Sequence, residues 1–185
     1  MIERANGAVP KLAEARGYIV VSPLGFRMNS RYGAALPGTD GFGLIPDNDP
    51  RRFGFSEQDV LNVADIVARE YNTDPKRTYI MGNSMGGMGT WHIAAKYPQR
   101  WAAAAPAAGG VNAADFDFPA LKTVPIMPVA GELDGAPVGV EATVARAKAA
   151  GIAPQILFVP GGTHSSAIEI AMPRIFDFFD SHERK

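Results

Sequence analysis

The sequence predicts an α/β protein with a mostly parallel sheet of about five strands and helices on both faces of the sheet. The first observation is the order of the segments. Short apolar or β-branched runs alternate with stretches in which apolar residues recur at helical spacing. The second is that several of these runs are apolar throughout, like strands that are buried on both faces of a parallel sheet. The third is size, because 185 residues, 46% of them hydrophobic, suffice for one domain over 1–185.

The individual elements have local reasons. Gly17 and Gly151 stand where helical segments end, a position that favours glycine. Ser56, with Asp59 three residues later, is expected to cap the start of a long helix. The segment 23–54 is rich in glycine, proline, asparagine and aspartate and is expected to be a functional loop. In chain order, the predicted elements are a helix end at 10–16, a strand at 18–23, a helix at 56–72, a strand at 78–81, a helix at 84–97, strands at 101–106 and 124–130, a helix at 138–150, a strand at 155–159 and a helix at 165–179.

Composition excludes several classes of function. The 18 basic and 19 acidic residues give a net charge of −1, so no basic surface is expected for nucleic acid or for an anionic membrane. The chain has no cysteine, which excludes disulfides, thiolate metal sites and a cysteine nucleophile. We expect neither a metal nor a cofactor. The first residues, Met1 to Arg4, do not lead into an apolar segment, so no signal peptide and a cytoplasmic location are expected.

The most informative motif is Gly82-x-Ser84-x-Gly86, which lies between a predicted strand and a predicted helix. In this context a serine can sit on a sharp strand-to-helix turn with its hydroxyl exposed above the sheet. Glycines on both sides allow the backbone to crowd at the turn. The alternative is a glycine-rich turn with a purely structural role, but the flanking strand and helix favour a nucleophile.

A serine nucleophile needs an imidazole base, and the chain has three histidines. His164 follows the last predicted strand, at the edge of the sheet where ligands of parallel sheets bind, and is the predicted base. His92 lies eight residues after Ser84 on the same predicted helix, about 12 Å along its axis, and is expected to pack or face solvent. His182 lies in the charged C-terminal segment and is expected at the surface.

An acidic residue is needed to orient the imidazole. Asp134 follows a predicted strand and is favoured for this role, and Glu132, two residues earlier, is the competitor. We favour Asp134 because the strand must end before its acid can turn toward a histidine. The chain order serine, acid, histidine is the order of the α/β-hydrolases and differs from those of chymotrypsin and subtilisin.

The segments GNSMGGMGTW at 82–91, AKYP at 95–98 and PAAGG at 106–110 resemble the α/β-hydrolase esterases. The resemblance is to the prolyl-oligopeptidase-like, feruloyl esterase and polyhydroxyalkanoate-depolymerase-like branches. Asp134 and the segment 162–164 continue it, so that it covers about residues 8–180. It implies a minimal α/β-hydrolase that hydrolyses carboxylic esters through an acyl-serine intermediate, without a cofactor.

The sequence departs from this family at its start, where the first three strands are not found and a shortened fold is expected. In the family, the loop after the third strand supplies half of the oxyanion hole. The N–H of Met85 is expected to supply the other half. Because Pro23 has no N–H, Leu24 or Gly25 would supply the missing donor if the segment 18–22 took the place of the third strand. The exposed sheet edge is expected to pair in a homo-oligomer.

Together these features predict a serine carboxylesterase that acts on short-chain or aryl esters, whether small molecules or polymers. The alternatives are an inactive, shortened hydrolase that serves as an interaction scaffold, and a peptidase or acyltransferase with the same three residues. Five aromatic residues on the long loop suit an apolar or aryl acyl group, or they anchor the loop to the core. They are Phe26, Tyr32, Phe42, Phe53 and Phe55.

Overall fold

The computed structural model describes residues 7–25, 30–34, 51–111, 113–135 and 137–184. The helices are α1 (Ala8–Arg16), α2 (Arg51–Glu70), α3 (Met85–Lys96), α4 (Pro137–Ala149) and α5 (Ser166–Asp180). The strands are β1 (Tyr79–Asn83), β2 (Ala103–Ala107), β3 (Val129–Gly131) and β4 (Leu157–Val159), and short 3₁₀ turns occupy Arg31–Gly33, Pro98–Arg100 and Phe118–Thr123. No helix in these ranges is both long enough and apolar enough to cross a membrane.

The four strands form a parallel sheet in the order β1-β2-β3-β4. β1 and β2 pair along their full lengths, from Tyr79 opposite Ala103 to Asn83 opposite Ala107. β3 is shorter than the predicted strand at 124–130, because prolines at 125 and 128 lack the N–H that a ladder needs. Only an isolated bridge from Ile126 to Ala104 continues the pairing upstream. The predicted α/β class and parallel sheet are confirmed.

Helices cover both faces of the sheet, as predicted. Alternate residues of β2 face opposite sides: Ala103, Ala105 and Ala107 belong to the cluster with α1 and α5, whereas Ala104 belongs to the cluster with α2 and α3. α4 packs over β3 on the second side, where Val140 and Val144 contact Ala130. Small residues in the central strand allow helices on both sides to approach the sheet closely.

The predicted strand at 18–23 is wrong. Tyr18 and Val20 pack against the core, and Ile19 and Val21 are 48% and 44% exposed, so the side chains alternate as in a strand. Yet the segment makes no backbone hydrogen bond to β1 within the described residues. Strand propensity records how side chains fit a half-buried surface, but a strand also needs a neighbour about 4.8 Å away. The described sheet therefore has four strands rather than five.

The start of the second helix also differs from the prediction. α2 begins at Arg51, and Ser56 is fully buried within it rather than capping it. Two cation–π contacts form in the added turn, with Arg51 over Phe55 at 5.9 Å and Arg52 over Phe53 at 4.4 Å. α2 therefore starts about one turn before the residue that the capping signal indicates, and contacts within that turn accompany the extension. Phe26 and Phe42 of the long loop lie outside the described residues.

Candidate active site

Ser84 occupies a strained turn between β1 and α3. Its backbone has φ 56° and ψ −114°, in the positive-φ region that residues other than glycine rarely adopt. Gly82 makes the turn possible, because a Cβ at that position would lie 2.4 Å from the carbonyl oxygen of Gly86. The Ser84 N–H donates to the carbonyl of Ala107 on β2 at 2.9 Å. The sheet and the start of α3 therefore hold the serine in its strained conformation.

The structure brings Ser84, His164 and Asp134 together. The distance between His164 Nε2 and Ser84 Oγ is 2.8 Å, and His164 Nδ1 lies 3.1 Å from each carboxylate oxygen of Asp134. When Nδ1–H donates to the carboxylate, Nε2 is left as an acceptor that faces the serine hydroxyl. The Asp134 side chain is 2% exposed and the His164 side chain 46%. A buried acid thus orients an imidazole that a substrate can reach.

The three residues come from the carboxyl ends of parallel strands, where ligands of α/β sheets bind. Ser84 follows β1, Asp134 follows β3 and His164 follows β4. Glu132, the competing acid, is used elsewhere, since its Oε2 accepts the N–H of Gly161 at 2.8 Å. Glu132 therefore ties the β3 loop to the β4 loop, and Asp134 is the carboxylate that contacts the imidazole.

The other two histidines lie in separate contacts. His182 Nδ1 is 2.7 Å from the carbonyl oxygen of Phe178 and its ring packs on that phenylalanine, so it is half-buried rather than fully at the surface. His92 Nε2 is 2.6 Å from Glu57 Oε2. Among the described histidines, His164 is the one whose ring contacts Ser84.

Glu57 is the centre of a polar cluster that sequence reasoning missed. Its carboxylate on α2 accepts hydrogen bonds from Lys96 and Tyr97, both at the end of α3, and contacts His92. Burial alone would raise the pKa of Glu57, but the hydrogen bonds from Lys96, Tyr97 and His92 outweigh burial and lower it. The cluster fastens α2 to the helix that follows Ser84. The four-residue spacing of His92 and Lys96 was the available signal, because it places both on one face of α3.

The predicted oxyanion donors lie in two different elements. Met85 is the first residue of α3, so its N–H is in the first turn, where backbone donors lack an acceptor within the helix. Leu24 is 95% exposed. Gly25 has φ 72°, and a Cβ there would lie 3.1 Å from Tyr32 Cε1.

Tyr32 links the segment that holds Leu24 and Gly25 to α3. Its hydroxyl donates to the carbonyl of Pro23 at 3.3 Å. On the other side, its Cβ lies 2.6 Å from where Gly89 of α3 would carry a Cβ, so the ring reaches α3 only because Gly89 has no side chain. Tyr32 therefore anchors this part of the loop to the core. Within the described ranges, no three His, Asp or Glu side chains are grouped so that they could hold a metal ion.

Known proteins resemble this chain in sequence and in fold. The family model described as the prolyl oligopeptidase family matches residues 56–120, which include Ser84 but neither Asp134 nor His164. The crystal structure of a thermostable esterase superposes with a TM-score of 0.57 at 25% identity, covering 69% of this chain and 37% of that one. The chain therefore has the α/β-hydrolase fold.

Two curated relatives of this chain are esterases by name. A bifunctional acetylxylan esterase/xylanase from Neocallimastix patriciarum is 32% identical over 107 residues, which is 58% of this chain and 13% of that protein. Feruloyl esterase B from Neurospora crassa is 29% identical over 105 residues, which is 57% of this chain and 33% of that protein. The chain thus spans a third or less of the length of these relatives. The predicted resemblance to α/β-hydrolase esterases is confirmed.

Proposed function

We propose that this α/β-hydrolase is a serine carboxylesterase that hydrolyses short-chain or aryl carboxylic esters through an acyl-serine intermediate. The observation that carries the proposal is the continuous contact from Asp134 through His164 to Ser84, with 3.1 Å at the first step and 2.8 Å at the second. A serine hydroxyl is a weak nucleophile unless a neighbouring base removes its proton, and this arrangement supplies the base and its orienting acid.

Each step of the reaction has a residue to perform it. Ser84 Oγ attacks the ester carbonyl carbon while its proton moves to His164 Nε2, and the carbonyl π electrons move to oxygen. Asp134 stabilises the imidazolium that forms. When the tetrahedral intermediate collapses, the C–O bond to the alcohol breaks and His164 protonates the departing alkoxide oxygen. Water then repeats the sequence on the acyl-serine, and the acid and free Ser84 are released.

The oxyanion of the intermediate would be held by the N–H of Met85 and by a second donor from Leu24 or Gly25. Met85 has the support of its place at the start of α3, where the helix dipole also favours negative charge. Leu24 and Gly25 have the support of Tyr32, which holds their segment against α3. One donor of this kind typically changes the rate by about 10²–10³-fold.

Esters are favoured over amides as substrates. The curated relatives are named for ester hydrolysis, one of an acetylated polysaccharide and one of feruloyl groups, which favours acetyl or aryl acyl groups on polymers or small molecules. Ester leaving groups also demand less stabilisation than amines, which suits a site whose second oxyanion donor comes from an exposed segment. An inactive interaction scaffold and a peptidase or acyltransferase with the same three residues are the alternatives.

The proposal predicts that the purified chain hydrolyses p-nitrophenyl butyrate and that Ser84→Ala does not. Loss of the nucleophile leaves the base without a proton to remove. We therefore expect a hydrolysis rate at least about 10⁴-fold lower, which cannot be distinguished from spontaneous hydrolysis in buffer. Release of p-nitrophenolate measures the rate, and circular dichroism checks that the variant folds. Equal slow rates for both proteins, or no hydrolysis by the parent, would favour the scaffold.

A crystal structure of a phosphonate adduct on Ser84 would show which N–H groups contact the phosphoryl oxygen. Contact with Met85 alone would exclude Leu24 and Gly25 as oxyanion donors.

We also propose that the outer edge of β1 pairs with a second copy of the chain. β1 is at one end of the sheet, and its outer side makes no backbone hydrogen bond within the described residues. The neighbouring segment exposes Ile19 and Val21, so an apolar surface lies beside an open ladder. Sedimentation velocity at micromolar concentration should show a dimer or larger species, and Val21→Lys should shift it toward the monomer. A strictly monomeric profile of the parent contradicts this proposal.

A further inference from the structure

Asn83, the residue before Ser84, contacts the segment that carries the candidate base. It is the last residue of β1, and its Nδ2 donates a hydrogen bond to the main-chain carbonyl oxygen of His164 at 3.1 Å. Adjacent residues of β1 and the turn therefore contact the two ends of one histidine. Asn83 binds its backbone, and Ser84 lies 2.8 Å from its Nε2.

Together these two contacts fix the position of His164 relative to Ser84. The His164 side chain is 46% exposed, so packing alone does not hold it in place. Asp134 fixes the Nδ1 side of the imidazole, while nearby backbone bonds, such as Leu133 N–H to the carbonyl of Gly162, hold the preceding part of the loop. The bond from Asn83 acts on the His164 backbone itself and joins it directly to the strand that ends at Ser84.

The contact requires a hydrogen-bond donor, which the amide of Asn83 supplies. A carbonyl oxygen needs a donor, which fixes the orientation of the Asn83 side chain, whereas an ionised aspartate at this position would present only acceptors. The orientation leaves Asn83 Oδ1 buried and without a hydrogen-bond partner among the described residues. A buried acceptor of this kind is unfavourable, so fold stability alone does not account for the amide.

We propose that Asn83 is a positioning residue that holds the His164 main chain at the place from which Nε2 reaches Ser84 Oγ. The inference rests on the proposed function, in which His164 removes the proton of Ser84. Without the bond from Asn83, the loop after β4 is freer to move relative to β1. The imidazole then spends less time within hydrogen-bond distance of the hydroxyl.

Asn83→Leu is the decisive variant, since leucine is close to asparagine in size and has no donor. We expect kcat for p-nitrophenyl butyrate to fall by about 10–100-fold with KM changed by less than about threefold, because small displacements of reacting groups have effects of this order. In Asn83→Asp, kcat should fall by at least as large a factor. Thr90→Val is the matched control, because it removes another side-chain bond to the backbone, from Thr90 Oγ1 to the Gly86 carbonyl, on the other side of the serine.

A second readout separates this inference from the proposed function. In proton NMR, the Nδ1–H of His164, bonded to Asp134, should give a downfield resonance in the parent and in Thr90→Val that is broadened or lost in Asn83→Leu. This readout decides the inference even if the parent has no esterase activity. An unchanged resonance or an unchanged kcat in Asn83→Leu overturns it, as does an equal loss of kcat in Thr90→Val. If Asn83→Leu does not fold, Asn83→Ala takes its place with the same expected results.

Discussion

Replacing Asp134 with asparagine is expected to lower kcat for ester hydrolysis by about 10⁴-fold. The amide can accept a hydrogen bond from Nδ1–H only through its oxygen, and its NH₂ group favours the tautomer in which Nδ1 is the acceptor. Nε2 then carries the proton and cannot remove one from Ser84. Asparagine also cannot stabilise the imidazolium that forms in the transition state. KM should change much less, because Asp134 is buried behind His164 and is not placed to bind substrate.

Glu132→Gln is the matched control for this prediction. Glutamine at 132 keeps an oxygen that can accept the N–H of Gly161, the contact that the carboxylate makes in the structure. Its rate should therefore stay within a few fold of the parent. Steady-state kinetics of both variants, with thermal melting to check folding, separates the two carboxylates. A rate loss in Glu132→Gln as large as that in Asp134→Asn would contradict the assignment of Asp134.

The candidate site could be predicted from the sequence because its chemistry leaves few choices. A serine between two glycines, after a strand and before a helix, favours a sharp strand-to-helix turn, and Ser84 has the positive φ of such a turn. Only one of three histidines followed a strand end. The acids were harder to separate, since Glu132 and Asp134 both follow β3, and a side-chain contact between loops decided between them.

The rest of the fold depends on contacts that composition and capping rules do not report. The segment 18–23 has the composition of a strand and the alternating exposure of one, but a strand exists only if another strand lies beside it, and composition does not report that. In the first turn of α2, arginine side chains lie over phenylalanine rings of the same helix, and a capping rule does not include such contacts. Asn83 was visible only as the variable position of a motif, and its bond to His164 spans 81 residues of sequence.

Replacing Gly87 with alanine is expected to destabilise the fold by at least about 2 kcal/mol, since overpacking a close contact typically costs 1–3 kcal/mol. A Cβ on Gly87 would lie 2.3 Å from the carbonyl oxygen of Ala107, at the point where α3 crosses β2. The obstacle is backbone, so it cannot rotate away. The same carbonyl accepts a hydrogen bond from the N–H of Ser84. In the variant, α3 would therefore have to move away from the sheet at the place where this bond holds the Ser84 turn.

Gly86→Ala separates this effect from the general preference of helices for alanine. Gly86 is the neighbouring residue of the same helix, but a Cβ on it meets nothing within 4 Å, and its φ is not positive. Alanine should therefore leave the fold unchanged or stabilise it by up to about 1 kcal/mol. For a chain of this size, a loss of about 2 kcal/mol lowers Tm by roughly 4–8 °C. The Tm of Gly87→Ala should therefore lie below that of Gly86→Ala by at least this amount, and the Tm of Gly86→Ala should equal or exceed that of the parent. Equal melting temperatures would mean that α3 does not rest on β2 at Gly87. Because the second glycine of the segment that begins at Gly82 has open space around it and the third does not, close packing of α3 on the sheet depends on Gly87 rather than on Gly86.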